Sequence, residues 1–130
     1  MKVLTPEQVL FIHARLVEET GGAHGVRDLG MLLSALARPQ ATFDGNELYV
    51  DVFSKATVLL HSLVNNHPFV DGNKRTGIAC AGIFLRTCGW RLTASNQEVE
   101  SFALRVATST ISVEEMTRWL RENCKQEISE

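Results

Sequence analysis

The 130-residue chain has few cysteines and no excess of positive charge. Its three cysteines, Cys80, Cys88 and Cys124, are an odd number without a Cys-X-X-Cys spacing, so neither a disulfide framework nor a zinc site is indicated. Thirteen lysines and arginines face fifteen acidic residues, and the net charge of -2 lacks the basic field that non-specific nucleic-acid binding requires. We therefore expect no direct binding of DNA or RNA.

Membrane and export signals are also missing. The sequence contains no apolar run long enough to span a bilayer, and its first residues, MKVLTPEQ, reach a proline before any apolar stretch of secretory length. These absences predict a cytoplasmic protein without a membrane partner. The length and the hydrophobic content of 45% are typical of one globular domain, which we expect to cover residues 1–130.

Helix-capping patterns dominate what the sequence does contain. Capping boxes, in which a serine or threonine precedes Glu or Gln by three residues, begin at Thr5, Ser95 and Ser112. Asp28 is placed to cap a further helix that Pro39 ends. Together these patterns predict an all-α fold, a compact bundle of five to six helices.

Two further segments predict the inner helices of this bundle. The segment YVDVFSKATVLLHSLVNN carries apolar residues from Val50 to Val64 on one broad face, which indicates a helix against the core. The segment KRTGIACAGIFLRTCG is apolar nearly all round, which predicts a central helix surrounded by the others.

Short β structure is expected at two places. The segment QATFDGNELY holds an Asp-Gly-Asn turn between β-prone pieces, which predicts a small hairpin or flap. The segment WRLT is too short to be more than an isolated strand.

Residues 67–77, HPFVDGNKRTG, form the most unusual stretch of the sequence. They end where the central helix begins, so free backbone N–H groups and the positive end of the helix dipole would face the loop and favour an anion such as phosphate. Gly72 would let the backbone approach that anion closely, and Lys74 and Arg75 add positive charge for a polyphosphate.

Two side chains of this stretch add chemistry to an anion site. Asp71 would repel a bare phosphate, so its presence indicates a Mg²⁺ ion between the two. His67, with an ordinary pKa of about 6.5, can accept a proton from a hydroxyl near neutral pH. The stretch therefore predicts phosphoryl or nucleotidyl transfer to a hydroxyl.

Structural interpretations of the same residues remain open. Asp71 could cap the following helix, and Lys74 with Arg75 could form a solvated first turn. Their occurrence together with His67 favours a functional interpretation.

The remaining histidines give weaker indications. His61 lacks a second metal ligand at helical spacing, which favours a packed or partly exposed role, and His13 and His24 carry no functional signal.

The residues HPFVDGNKRT resemble the signature of the Fic/Doc family, and the upstream segment GGAHGVRDLGMLLSALARPQ is similar to the opening of its death-on-curing (Doc) toxin branch. The resemblance covers nearly the whole chain. It implies a Fic-type helical domain that acts as the toxin of a toxin–antitoxin system.

The resemblance also implies roles for individual residues. His67 would be the catalytic base, Phe69 would anchor the loop in the core, and Asp71 would bind Mg²⁺. The flap between Thr42 and Leu48 matches the family element on which a target peptide docks in extended form. The implied ATP-binding residues are Gly72 and Asn73, which would form the anion cradle with Asn73 touching a phosphate, and Lys74 and Arg75.

Two departures from the wider family favour one reaction over another. AMP-transferring members have glycine at the position of Lys74 and a second arginine at the position of Ile78. The Doc branch shares the lysine and binds ATP in the reverse sense, which implies a kinase whose target is elongation factor Tu and whose effect is arrested translation. AMP transfer to a protein hydroxyl is the alternative, and a non-catalytic helical binding module is the second.

Two other points concern regulation and a competing chemistry. A metal-dependent phosphohydrolase would need several ligands at metal spacing, which the scattered histidines do not supply. Self-restrained family members carry an inhibitory motif that ends in Glu followed by Gly or Asn. The nearest match here, Thr110 to Glu114, is followed by Glu115, so the resemblance implies inhibition by a separate antitoxin chain.

Overall fold

The computed structural model describes residues 4–127 and confirms the all-α fold. Its six α-helices are α1 (Pro6–Thr20), α2 (Leu29–Ala37), α3 (Val52–Asn65), α4 (Asn73–Thr87), α5 (Asn96–Ala107) and α6 (Val113–Glu122). A short 3₁₀ turn, Arg38–Gln40, follows α2. Six helices lie within the predicted number of five to six.

The helix ends lie where the capping residues placed them. The side chains of Thr5, Ser95 and Ser112 each accept a backbone N–H three residues later, and all three capping boxes are complete. Asp28 Oδ1 accepts the backbone N–H of Met31 at 3.1 Å and so caps α2. These local contacts satisfy N–H groups that a helix leaves without intrahelical partners.

Helices α3 and α4 form the centre of the fold, and α1, α5 and α6 pack around this pair. The two helices pack tightly at Gly77 of α4, where an added Cβ would lie 3.0 Å from Val64 Cγ2 and 3.2 Å from Leu60 Cδ1. A larger residue at this position would force the Val64 and Leu60 side chains to shift by a few tenths of an ångström.

Two details of the inner helices differ from expectation. Val50 was expected on the core face of a helix, but it is 73% exposed, because Asp51 caps α3 and Val50 lies before the helix. The expectation that α4 is surrounded on all sides is also wrong. Its outer face carries the small residues Ala79 and Gly82 and the 39% exposed Ile83, so apolar composition overstated its burial.

Two small antiparallel sheets complete the described range. Strands β1 (Thr42–Phe43) and β2 (Asn46–Glu47) pair with each other, which confirms the flap. Strand β3 (Trp90–Leu92) is not isolated as expected from its length, since it pairs with β4 (Cys124–Gln126). The partner strand lies more than thirty residues further along the chain, out of reach of a local sequence pattern.

Within residues 4–127, no helix has both the length and the apolar composition needed to cross a membrane.

Candidate active site

The signature loop, residues 67–72, connects α3 to the N-terminus of α4 and forms one wall of an open cleft of about 370 Å³. The cleft is lined by His67, Val70, Asp71, Gly72, Asn73, Lys74 and Arg75. All six residues that the sequence predicted for catalysis, ATP or Mg²⁺ are therefore brought together in one place.

The N-terminus of α4 opens into this cleft without a side-chain cap. Gly72 is the N-cap residue and has φ 80, a left-handed conformation that glycine adopts without strain. Asp71 does not cap α4, because its carboxylate accepts the backbone N–H groups of Gly72 (2.9 Å) and Ala23 (3.2 Å). The first-turn N–H groups of α4 thus remain available to an anion.

His67 lies at the head of the loop with its side chain exposed to solvent and its backbone at φ 47. A positive φ is uncommon for a residue other than glycine and persists only where surrounding contacts hold it. Here Arg27 supplies two such contacts, since its guanidinium donates to the carbonyl oxygens of His67 (Nε, 2.6 Å) and Asn66 (Nη2, 2.8 Å).

The backbone of residues 22–28, which we call the loop clamp, holds the signature loop from one side. The N–H groups of Arg27 and Asp28 both donate to the carbonyl of Pro68, at 2.8 and 3.0 Å. Val70 N–H donates to Gly25 O at 3.0 Å. The loop is therefore tied by backbone bonds that do not depend on local side chains.

Asp71 is confined closely by this clamp. An added Cβ at Gly22 would lie 2.6 Å from Asp71 Oδ2, which no side chain could tolerate without displacing the carboxylate. Gly22 also has φ 117, so only glycine fits there without strain.

Asn73 holds the loop from the other side. Its Oδ1 accepts the N–H of Phe69 at 2.9 Å, and its Nδ2 donates to the carbonyl of Phe69 at 3.0 Å. The phosphate contact expected of Asn73 stays a prediction, and it would have to use the second Nδ2 hydrogen or the backbone N–H.

Phe69 is buried, with 1% of its surface exposed, as expected of an anchor. Its ring stacks on the ring of His13 with a centroid separation of 3.7 Å and an interplanar angle of 6°. His13 Nε2 lies 2.7 Å from the carbonyl oxygen of Asp71. No functional role was expected for His13, although its position between Val9 and Val17 on the buried face of α1 indicates a buried polar group that needs a hydrogen-bond partner.

The two cations of the site are exposed and differ in their partners. Arg75 Nη1 donates a hydrogen bond to Thr20 Oγ1 at 3.0 Å. Neither Arg75 nor Lys74 forms an ion pair among residues 4–127. Both also line a second groove of about 450 Å³ between α4 and α5, together with Ile78. Ile78 packs against the hydrophobic core and adds no charge to this surface.

The chemistry of the cleft fits magnesium and phosphates better than a protein-built metal centre. The described residues contain no group of three or more His, Cys, Asp or Glu side chains that could hold a metal. Mg²⁺ binds through one or two carboxylates and completes its octahedral shell with water and substrate phosphates. Asp71 places one carboxylate beside an uncapped helix N-terminus and two cations, a set of groups that would fit Mg²⁺ bound together with phosphates.

His61 and Lys55 on α3 lie outside the cleft and support the flap side of the molecule. His61 Nδ1 accepts a hydrogen bond from Arg38 Nη1 at 3.0 Å, and burial, followed by the charge of Arg38, lowers the pKa of His61. The half-buried packing expected of His61 is confirmed. The buried Lys55 donates through Nζ to Glu47 Oε1 of the flap at 2.9 Å and to Pro39 O at 3.1 Å.

Comparison with known proteins identifies a family and two relatives of this chain. A model of the Fic/DOC family matches residues 3–85. The chain is 51% identical over 74 residues to a protein of Mycolicibacterium smegmatis named Toxin Doc, and this match spans 57% of each chain. It is 31% identical over 121 residues to the protein of Escherichia phage P1 named Protein kinase doc, which covers 93% of this chain and 94% of the relative.

Proposed function

The chain belongs to the Fic/DOC family, and we propose that it is a Doc-type toxin that transfers the γ-phosphate of ATP to a hydroxyl of a protein. The observation that carries the proposal is the cleft in which His67 and Asp71 lie beside the uncapped N-terminus of α4. A base, a metal-binding carboxylate and an anion cradle are the parts that phosphoryl transfer needs.

Binding of the phosphates would use the N-terminus of α4 and its two cations. The first-turn N–H groups and the helix dipole favour negative charge, and Lys74 and Arg75 extend the positive surface along the same cleft. Asp71 would hold Mg²⁺, which when bound would reduce the repulsion among phosphate oxygens.

Transfer would proceed with His67 as the general base. The imidazole accepts the proton of the target hydroxyl while the hydroxyl oxygen forms a bond to the γ-phosphorus. The bond from that phosphorus to the bridging oxygen breaks, and ADP leaves with the electron pair. The N–H groups of α4 remain in place throughout, so they stabilise developing charge without having to reorganise.

The choice of kinase over AMP transferase rests on Lys74 and Ile78. They are four residues apart on one face of α4 and line the same groove, so a charge stands at one position and an apolar side chain at the other. An apolar Ile78 cannot anchor a phosphate at the far end of the nucleotide. A relative named Protein kinase doc supports the same choice.

The target would dock on the flap as an added strand. Strands β1 and β2 contain only two residues each, and Phe43 and Leu48 are 75% and 54% exposed, so both backbone edge and apolar side chains are accessible. By the family resemblance we propose a translation factor, elongation factor Tu, as the target. A separate antitoxin chain would restrain the toxin, as the relative named Toxin Doc suggests.

Incubation with ATP labelled on either the α- or the γ-phosphate tests the proposal. Label from the γ position should enter purified elongation factor Tu, and at least about a hundredfold less should enter with the His67→Ala variant. Label entering from the α position would instead establish AMP transfer. A His67→Ala variant that still arrests growth fully, without transfer by the wild type, would establish a binding module.

A further inference from the structure

We infer that His13 of α1 is a positioning residue for Asp71 and for the start of α4. His13 is buried, with 4% of its surface exposed, and it contacts the signature loop through both its ring face and one ring nitrogen. The inference rests on the proposed function, because Asp71 and the α4 N-terminus are the groups assigned there to Mg²⁺ and phosphate.

The hydrogen bond of His13 fixes its tautomer. The carbonyl oxygen of Asp71 can only accept, so the Nε2 atom 2.7 Å away must carry the proton and donate it. A nearly parallel stack on Phe69 holds the ring plane, which in turn fixes the direction of this N–H.

The hydrogen bond from His13 orients the peptide group between Asp71 and Gly72, which links the proposed Mg²⁺-binding carboxylate to the N-terminus of α4. The Asp71 carbonyl belongs to the same peptide group as the N–H of Gly72, and Gly72 is the N-cap residue of α4. Rotation of this peptide would therefore move the cap of α4 and the Asp71 side chain together. His13 holds the carbonyl, and Ala23 N–H holds the carboxylate through Oδ2.

His13 lies close to the cap residue of α4 as well as to Phe69. A Cβ added at Gly72 would lie 3.6 Å from His13 Nε2 and Cδ2, and 3.5 Å from Val17 Cγ2. The imidazole therefore lies next to the cap residue, with its ring against Phe69. This packing separates His13 from a core histidine that only fills volume, because its polar atom is aimed at the loop backbone.

Two substitutions separate the hydrogen bond from the stack. His13→Phe keeps an aromatic ring against Phe69 and removes the donor, whereas His13→Gln keeps an N–H donor at similar reach and removes the ring. Met116→Ala serves as the control for general destabilisation, because Met116 is fully buried on α6, which packs on α3 rather than on the loop.

The first readout is the exchange of backbone amide hydrogens in the protein without nucleotide. In His13→Phe the Ala23 amide, which donates to Asp71, should exchange about tenfold faster relative to amides of the α3–α4 core. His13→Gln should restore slow exchange, and Met116→Ala should leave the ratio unchanged. Unchanged exchange in His13→Phe, or equal acceleration in His13→Gln, would overturn the inference.

The second readout is the dependence of phosphate transfer on Mg²⁺. The Mg²⁺ concentration for half-maximal transfer should rise about tenfold in His13→Phe and return toward the wild-type value in His13→Gln, with the KM for the target protein unchanged. A rise in the target KM alone would contradict the assignment. Absence of transfer by the wild type would refute the proposed function, while the exchange measurement would still decide the role of His13.

Discussion

The signature loop (67–72) and the flap (42–48) are both short segments between helices, yet they are attached to the protein in different ways. The loop is held by α1, by the loop clamp and by Asn73 of α4 through eight hydrogen bonds of 2.6–3.2 Å. The flap pairs with itself over two residue pairs and is joined to α3 through the contact of Glu47 with Lys55.

The difference matches what each segment would have to do. A catalytic loop gains from geometry that is fixed before the substrate arrives, because no binding energy is then used to order it. A docking strand gains from an open edge that adjusts to an incoming peptide. Substitutions confined to one segment at a time should therefore distinguish a loss of chemistry from a loss of docking.

The largest effect is expected from His67→Ala, which removes the general base from an otherwise intact loop. The side chain is exposed and the loop contacts involve the backbone of this residue, so the fold should be retained. Transfer should fall by at least about a hundredfold, as general bases contribute on the order of 10²–10⁴. His24→Ala, at another exposed histidine, should stay within about twofold in the same assay.

Removal of the Arg27 side chain tests whether its contacts preorganise the signature loop. Arg27→Ala deletes two charge-assisted hydrogen bonds, to the carbonyls of His67 and Asn66, and frees the positive-φ backbone of His67. We expect transfer to fall about tenfold. The free energy of unfolding should drop by about 1–2 kcal/mol, toward the lower end of this range because the Arg27 side chain is exposed to solvent. Urea denaturation and the transfer assay measure the two effects.

The exposed Arg15 provides the control for Arg27. It pairs with Glu19 at 3.5 Å on the surface of α1, with both side chains about 60% exposed. Arg15→Ala should change the free energy of unfolding by less than about 0.5 kcal/mol, since exposed i, i+4 pairs contribute little. If Arg27→Ala lowers the free energy of unfolding by no more than Arg15→Ala does, the loop keeps its shape without the guanidinium of Arg27.

The contacts that distinguish the two segments were largely outside the reach of sequence analysis. Local patterns predicted the helix starts at Thr5, Asp28 and Ser95 correctly, because a capping residue and its partner lie within three positions of each other. The site residues lie in one short stretch of sequence, so the location of the cleft could also be predicted. The attachment of the loop was not, since His13 lies 58 residues from Asp71 and Arg27 lies 40 from His67.

On the flap side, the buried Lys55 allows a comparison of its two partners. Glu47→Ala leaves a buried ammonium with Pro39 O alone, whereas Lys55→Met removes the charge and leaves Glu47, which is 56% exposed, free to contact water. Glu47→Ala should therefore lower the free energy of unfolding by about 1–2 kcal/mol, more than Lys55→Met.

The Glu47→Ala variant also separates docking of the target from the chemical step. Since Glu47 belongs to β2, its substitution should raise the KM for the target protein while the turnover at saturation stays within about twofold. A fall in turnover with an unchanged KM would mean that the flap supports the catalytic loop rather than the target.

The smallest effect is a pH dependence that arises on the flap side, at His61. Burial and the nearby Arg38 charge lower the pKa of His61 in the folded protein from its usual 6.5, so as pH falls the unfolded chain binds this proton first. The free energy of unfolding should therefore be highest above about pH 6.5 and decrease below it until the lower folded pKa is passed. Glu98 and Glu115 also have lowered pKa values, because their capping-box serines donate to them, but they weaken the fold only below their usual 4.5.

His61→Gln keeps an acceptor for Arg38 without a titrating ring, so between pH 7.5 and 5.5 its urea midpoint should shift less than that of the wild type. An equal shift in His61→Gln and the wild type would assign the acid sensitivity to groups other than His61.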